Sequence, residues 1–210
     1  MKKIIIFIIF ILFLLCSVNI WANTANVLDS LPGPEIMPDS SFYPLKIWYE
    51  KIVTFFSFGD AKKAERYSKL SEKRLYEIEK MAEKGKEKLT QKLLEEYKKL
   101  LNKAFSKVEE MKKEAQDKAK QEAKEKINQT LEKVSDSALK NQEILLKIYE
   151  PVSPEVKETI EGAIKLTKTG YERIMESVSG IKKEELESKA EEIRIKAQEI
   201  IKGWRKLFEE

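Results

Sequence analysis

The chain has no histidine, and its single cysteine, Cys16, sits inside its apolar opening. General acid–base catalysis most often uses His, so the commonest proton shuttle is missing. The serine triad and the papain-type pair each lose a member. Zinc loses both of its preferred ligands, and a di-iron bundle built on Glu-x-x-His is excluded in that form. Beyond Cys16 no intrachain disulfide can form, so stability has to come from core and helix packing. Glycine and proline are sparse, at seven and six in 210 residues. There is no Gly-rich phosphate loop. No alternating strand pattern occurs after the opening segment. Neither sign of charge dominates: 40 Lys and Arg face 36 Asp and Glu, for a net +4. Signs mix at short range, as in Lys112-Lys113-Glu114 and Lys124-Glu125-Lys126, which reads as solvated helix faces. A nucleic-acid surface would concentrate one sign, so none is expected.

What the chain does have begins at its N-terminus. Lys2 and Lys3 precede an unbroken apolar run from Ile4 to Leu15. Ile20 and Ala22 then occupy the −3 and −1 positions of a cut before Asn23. Residues 1–22 read as a cleaved signal peptide, which predicts an extracytoplasmic protein, secreted or periplasmic or at the cell surface. A membrane helix wants roughly 20 apolar residues, and the segment from Ile4 to Ala22 approaches that length. An uncleaved N-terminal anchor is therefore the alternative. Lipidation at Cys16 fits less well, because Leu14 and Leu15 stand where a lipobox needs a small residue before the cysteine.

Residues 23–40 form a linker in which Pro32, Gly33, Pro34 and Pro38 cluster. Residues 41–178 read as a helical domain, and residues 181–210 as a C-terminal amphipathic helix. The first helix is expected from Ser41 to Phe58, with Pro44 in its first turn, Gly59 as a stop and Asp60 as the next N-cap. A second helix should run from Ala61 to Lys84 and end at Gly85. A third begins near Lys86. No Gly or Pro follows until Pro151, and one straight helix of that length would span roughly 95 Å. Ser135-Asp136-Ser137 is the expected break, since each residue is a competent N-cap. Lys112 to Lys126 has a thin apolar face and is expected to project as a solvated arm. Ser153 caps the next helix with Pro154 at its first position, and Ser179-Gly180 stops it. Leu186, Ala190, Ile193, Ala197, Ile200, Trp204 and Leu207 on the last helix come near the 3.5 period of a coiled-coil seam. The predicted fold is all-α, an antiparallel bundle or elongated array of about five to six helices.

The first helix is unusually aromatic, with seven rings between Phe42 and Phe58. Lys46, Glu50, Thr54 and Ser57 leave it one narrow polar stripe. A helix apolar over most of its circumference is normally buried among others, so these rings are expected to anchor the core. The competing reading makes Trp48, Tyr49, Phe55 and Phe56, with Trp204 and Phe208 of the last helix, an interaction surface for a protein, a second copy or a bilayer. Carboxylate neighbours such as Glu95-Glu96, Glu109-Glu110, Glu184-Glu185 and Glu191-Glu192 point about 100° apart on a helix and read as solvated charge. No catalytic residue, cofactor or metal site is assigned.

Two stretches carry a family resemblance. The first is Leu31 to Phe58, centred on Pro38-Asp39-Ser40-Ser41-Phe42-Tyr43-Pro44-Leu45-Lys46 and running on through Gly59-Asp60-Ala61-Lys62-Lys63-Ala64-Glu65. The second is Asn141 to Glu176, with Ser153-Pro154-Glu155 and Ile160-Glu161-Gly162-Ala163-Ile164. Together they resemble an exported, all-helical family of bacteria and archaea known only as a domain of unknown function. The resemblance covers about Leu31 to Val178 and implies export and a helical fold. Family members often carry a His near the start of the second stretch, where this chain has Asn141 and Gln142. The resemblance brings no catalytic residues with it.

These readings lead to a non-enzymatic, exported helical protein of the envelope or secreted space that binds a protein partner or itself. The alternative is a membrane-surface or lipid-associating protein acting through residues 42–58.

Overall fold

The computed structural model describes residues 36–117, 121–150, 152–176 and 181–201. The expected signal peptide, most of the linker, the Ser179-Gly180 stop, Trp204 and Phe208 lie outside them. Among the described residues there are six α-helices and no strand, so the protein is all-α. We number them α1 (Tyr43–Phe55), α2 (Asp60–Glu83), α3 (Glu87–Asp117), α4 (Gln121–Tyr149), α5 (Pro154–Met175) and α6 (Ile181–Ile200).

Local chemistry accounts for the helix ends. Helix α1 closes three residues earlier than its aromatic run, where the Phe56 amide donates to the Ile52 carbonyl at 3.1 Å. Gly59, at φ 86°, is the N-cap of α2, and Asp60 is its first residue rather than its cap. Asp60 still places a carboxylate at the positive helix end. Gly85 stops α2 as expected. At φ 65° it donates to the Ala82 carbonyl while the Lys86 amide donates to Met81, both at 2.9 Å. That pair of bonds is the Schellman closure, and the positive φ is what demands glycine there. Ser153 is the N-cap of α5 with Pro154 in the first turn, although its hydroxyl makes no capping bond.

Cross-helix pairs give the directions of the helices. Lys107 meets Asp60 at 3.1 Å and Arg74 meets Glu96 at 3.3 Å, so α2 and α3 are antiparallel. Lys133 meets Glu65, and the Ser68 hydroxyl donates to Ser137 at 2.7 Å, so α2 and α4 are parallel. Tyr97 lies 2.8 Å from Thr167 and Lys112 reaches the Arg173 carbonyl, making α3 and α5 parallel. The order around this four-helix bundle is α2, α3, α5, α4. Its axis is filled by Leu75, Ile78, Leu94, Tyr97, Leu101, Leu131, Leu145, Ile160 and Ile164, all fully buried. Each such side chain contributes about 1.5–3 kcal/mol of burial. Helix α6 lies parallel to α4, with Lys189 on Asp136 and Lys196 on Glu143. It buries Leu186, Ile193 and Ala197 within this chain, so much of the stripe with coiled-coil spacing is already covered.

One expectation fails here. The chain is helical straight through Ser135-Asp136-Ser137, and Ser135 is fully buried. Residues 118–120 lie outside the described residues, and the antiparallel course of α3 (to Asp117) and α4 (from Gln121) requires the chain to reverse between their paired segments. Lys112 to Lys126, the expected arm, falls partly outside the described residues. The last described buried residue of α3 is Met111 and the first of α4 is Thr130.

Candidate functional site: a helix turned inside out

Helix α1 presents its polar stripe to the protein and its aromatic face to the outside. Glu50 and Thr54 are its buried residues. Tyr43 packs at the edge of the core, but no residue of α1 belongs to the core itself. Of the eight exposed large hydrophobic side chains among the described residues, six lie between positions 42 and 58. They are Phe42, Leu45, Trp48, Phe55, Phe56 and Phe58, and each keeps more than half of its surface, up to 76% for Phe55. Phe55 and Phe56 touch edge to face, with centroids 5.3 Å apart. Burial of the aromatic helix, expected from its wide apolar face, is thus overturned. The reason lies in what α2 offers it.

That surface is ionic. Arg74 on α2 is almost fully buried and forks onto Glu77, with Nη1 2.9 Å from both carboxylate oxygens. Its other terminal nitrogen holds Glu50 of α1. Its Nε faces Glu96 of α3 at 3.3 Å. Glu77 also accepts from the Tyr43 hydroxyl at 2.6 Å and from Lys46 Nζ at 2.5 Å. Lys46 donates further to the Ile36 carbonyl at 3.2 Å, tying down the segment that leads into α1. Both cations stand over the Tyr43 ring, at 5.6 and 5.8 Å. The stripe Lys46, Glu50, Thr54 has found its partners in Arg74 and Glu77, leaving the apolar face outward.

The electrostatics suit a latch rather than a catalyst. Burial opposes the charge of Arg74, but Glu50 and Glu77 outweigh it and hold the guanidinium above its ordinary value. Burial, then the bond to Glu77, pushes the Tyr43 phenol upward, so it remains a donor at any ordinary pH. Each carboxylate faces a permanent cation. Just outside, Asp39 receives Lys86 at 2.6 Å and Lys84 at 3.0 Å. Those two bonds draw its carboxyl down to about 2.

A second polar cluster lies inside the bundle. Ser71 donates to the Ser68 carbonyl, Asn141 donates to Ser71 at 3.3 Å, and Tyr97 donates to Thr167, which passes its own hydrogen to the Ala163 carbonyl. Asn141 and its neighbour Gln142 are both buried. No group of three or more metal-ligating side chains occurs among the described residues. The carboxylate neighbours noted in the sequence stay apart: Glu96 turns to Arg74, while Glu110, Glu185 and Glu191 pair with lysine or arginine on their own helices.

Of the candidate surface residues, Trp48, Phe55 and Phe56 are exposed and Tyr49 is partly buried. Trp204 and Phe208 lie outside the described residues. Sequence reasoning missed Arg74, Glu77 and Glu50 as a unit. Arg74 and Glu77 stand three apart and look like any solvated pair.

A family described as "Domain of unknown function (DUF5667)" matches residues 35–202. The chain belongs to that family, and the match takes in all six helices. No curated protein and no solved structure matches it.

Proposed function

We propose that this member of the family is an exported, non-enzymatic protein of the membrane surface, held on a lipid bilayer through α1. The observation that carries the proposal is the outward aromatic face over an ionic inner face. Contiguous exposed apolar surface on a soluble domain marks an interaction site. An interfacial helix sinks its apolar side about 5–10 Å into the headgroup boundary, and Trp is favoured at that depth. The N-terminal signal-like run and the absence of His support the exported and non-enzymatic parts of the reading.

A second reading follows from spacing. Leu45, Trp48 and Phe55 also resemble the anchors of a helix laid into a protein groove. The bilayer is favoured because the apolar surface does not stop at the helix. Phe42 precedes it, and Phe56 and Phe58 continue past its end. A groove accepts a narrow stripe, whereas a bilayer accepts the whole breadth.

The chain from Asn23 onward contains the whole of the family match, residues 35–202. That chain should float with phosphatidylcholine–phosphatidylglycerol vesicles on a density gradient. The Trp48→Ala/Phe55→Ala variant should stay at the bottom. Wild-type protein remaining in the bottom fraction rejects the bilayer and leaves the groove reading.

A further inference from the structure

We infer that the α1 surface selects anionic headgroups, through Lys51, Lys62 and Lys63. The inference rests on the membrane reading and adds the lipid class. Lys51 is exposed on α1, three residues after Trp48 and four before Phe55, so it neighbours both on the helix surface. Lys62 and Lys63 stand in the first turn of α2, just past Phe58 and the Gly59 turn. None of the three engages a carboxylate among the described residues.

The carboxylates of this region are all committed elsewhere. Between Phe42 and Glu65 there are only Glu50, Asp60 and Glu65. Glu50 is buried against Arg74, Asp60 holds Lys107 and Glu65 holds Lys133. Lys46, the remaining lysine of α1, is taken by Glu77. The Phe55–Phe56 pair and Phe58 are therefore flanked along the chain by lysines that no described carboxylate engages, although the chain as a whole is nearly balanced. Lysine can lay its methylene stem along apolar surface and keep its ammonium at headgroup level. Each lysine near an anionic bilayer is worth roughly fivefold in affinity. Three together predict a preference on the order of a hundredfold at low salt, shrinking as salt rises.

The test uses the chain from Asn23 onward, carrying Trp204→Phe so that Trp48 is its only indole. Binding is read from the Trp48 emission shift on titration with phosphatidylcholine vesicles, alone or mixed with phosphatidylglycerol. Wild type should bind the mixed vesicles far more tightly, and raised salt should erode the difference. Lys51→Gln/Lys62→Gln/Lys63→Gln should keep its helicity and its binding to neutral vesicles, and lose the preference. The matching triple Arg variant should restore it. Equal wild-type binding to both vesicle types, or a preference that survives the triple Gln change, overturns the inference while leaving membrane docking intact. No binding to either vesicle overturns the docking as well.

Discussion

Gly162 and Gly170 share helix α5 and should respond to alanine in opposite directions. A Cβ on Gly170 would lie 1.7 Å from the Phe105 ring, so α3 and α5 approach at that point only because no side chain intervenes. Gly170→Ala should cost about 1–3 kcal/mol by overpacking, read from urea denaturation. Gly162 is exposed and a Cβ there meets nothing within 4 Å. Gly162→Ala should stabilise by about 0.5–1 kcal/mol through the unfolded chain. Trp48 separates a core role from a surface role in the same way. Because its ring is 62% exposed, Trp48→Ala should change stability by less than about 1 kcal/mol while abolishing vesicle binding. Asp39 carries a pH dependence. Its carboxyl titrates at about 2 rather than 3.8, so the folded state favours the ionised form. The contribution of its bonds to Lys84 and Lys86 is complete above the ordinary value and is lost as pH falls from about 4 through 2. A carboxyl titration followed by NMR should place the Asp39 midpoint near 2, and Asp39→Asn should remove this acid-sensitive component.

At the scale of the element, α1 is the part most readily released. It has the sparsest contact with the bundle, and what holds it is charge rather than apolar packing. Removing one member of a buried ion network costs about 3–5 kcal/mol, because the remaining charges are left without compensation. Here that cost has a ceiling. Once α1 detaches, water reaches Glu50 and Glu77, so the penalty cannot exceed the free energy of docking α1. Arg74→Ala should therefore free α1 without unfolding the bundle. Hydrogen exchange should show α1 amides losing protection while those around Leu75, Leu101 and Ile160 keep theirs. Loss of protection throughout the bundle would mean that Arg74 supports the core and not the latch.

For the whole molecule, helix length sets the shape. A compact domain of this size has a radius of gyration near 16 Å. Helix α3 alone, at 31 residues, is about 46 Å long, so the bundle is a prolate body. Helix α3 runs antiparallel to α2 and α4 parallel to it, so the two long helices lie side by side rather than end to end. Small-angle scattering on the monomer should give about 17–21 Å. A value well above ~22 Å would require the solvated rod that α3 and α4 replace. With α1 on one side of this body, the bundle would lie along a bilayer rather than stand on it.

The sequence by itself determined the class of this fold and many of its helix ends. Apolar residues recur at helical spacing through long stretches without Gly or Pro. Gly85 can close a helix and Pro154 can open one through local backbone chemistry that needs no neighbour. The same periodicity divided α1 into an aromatic face and the stripe Lys46, Glu50, Thr54. It could not say which face turns inward, because that depends on what the adjoining helix presents. Helix α2 presents Arg74 and Glu77, so the polar stripe docks and the rings are left outside. The place where the long third segment turns back was likewise not local. Ser135 and Ser137 are good caps in isolation, but the bundle uses their hydroxyl positions as buried packing, with Ser137 bonded to Ser68. The reversal that sets α4 antiparallel to α3 lies N-terminal to Ser135-Asp136-Ser137 instead. Side-chain pairing between distant helices decided both features, and a one-dimensional pattern does not record that pairing.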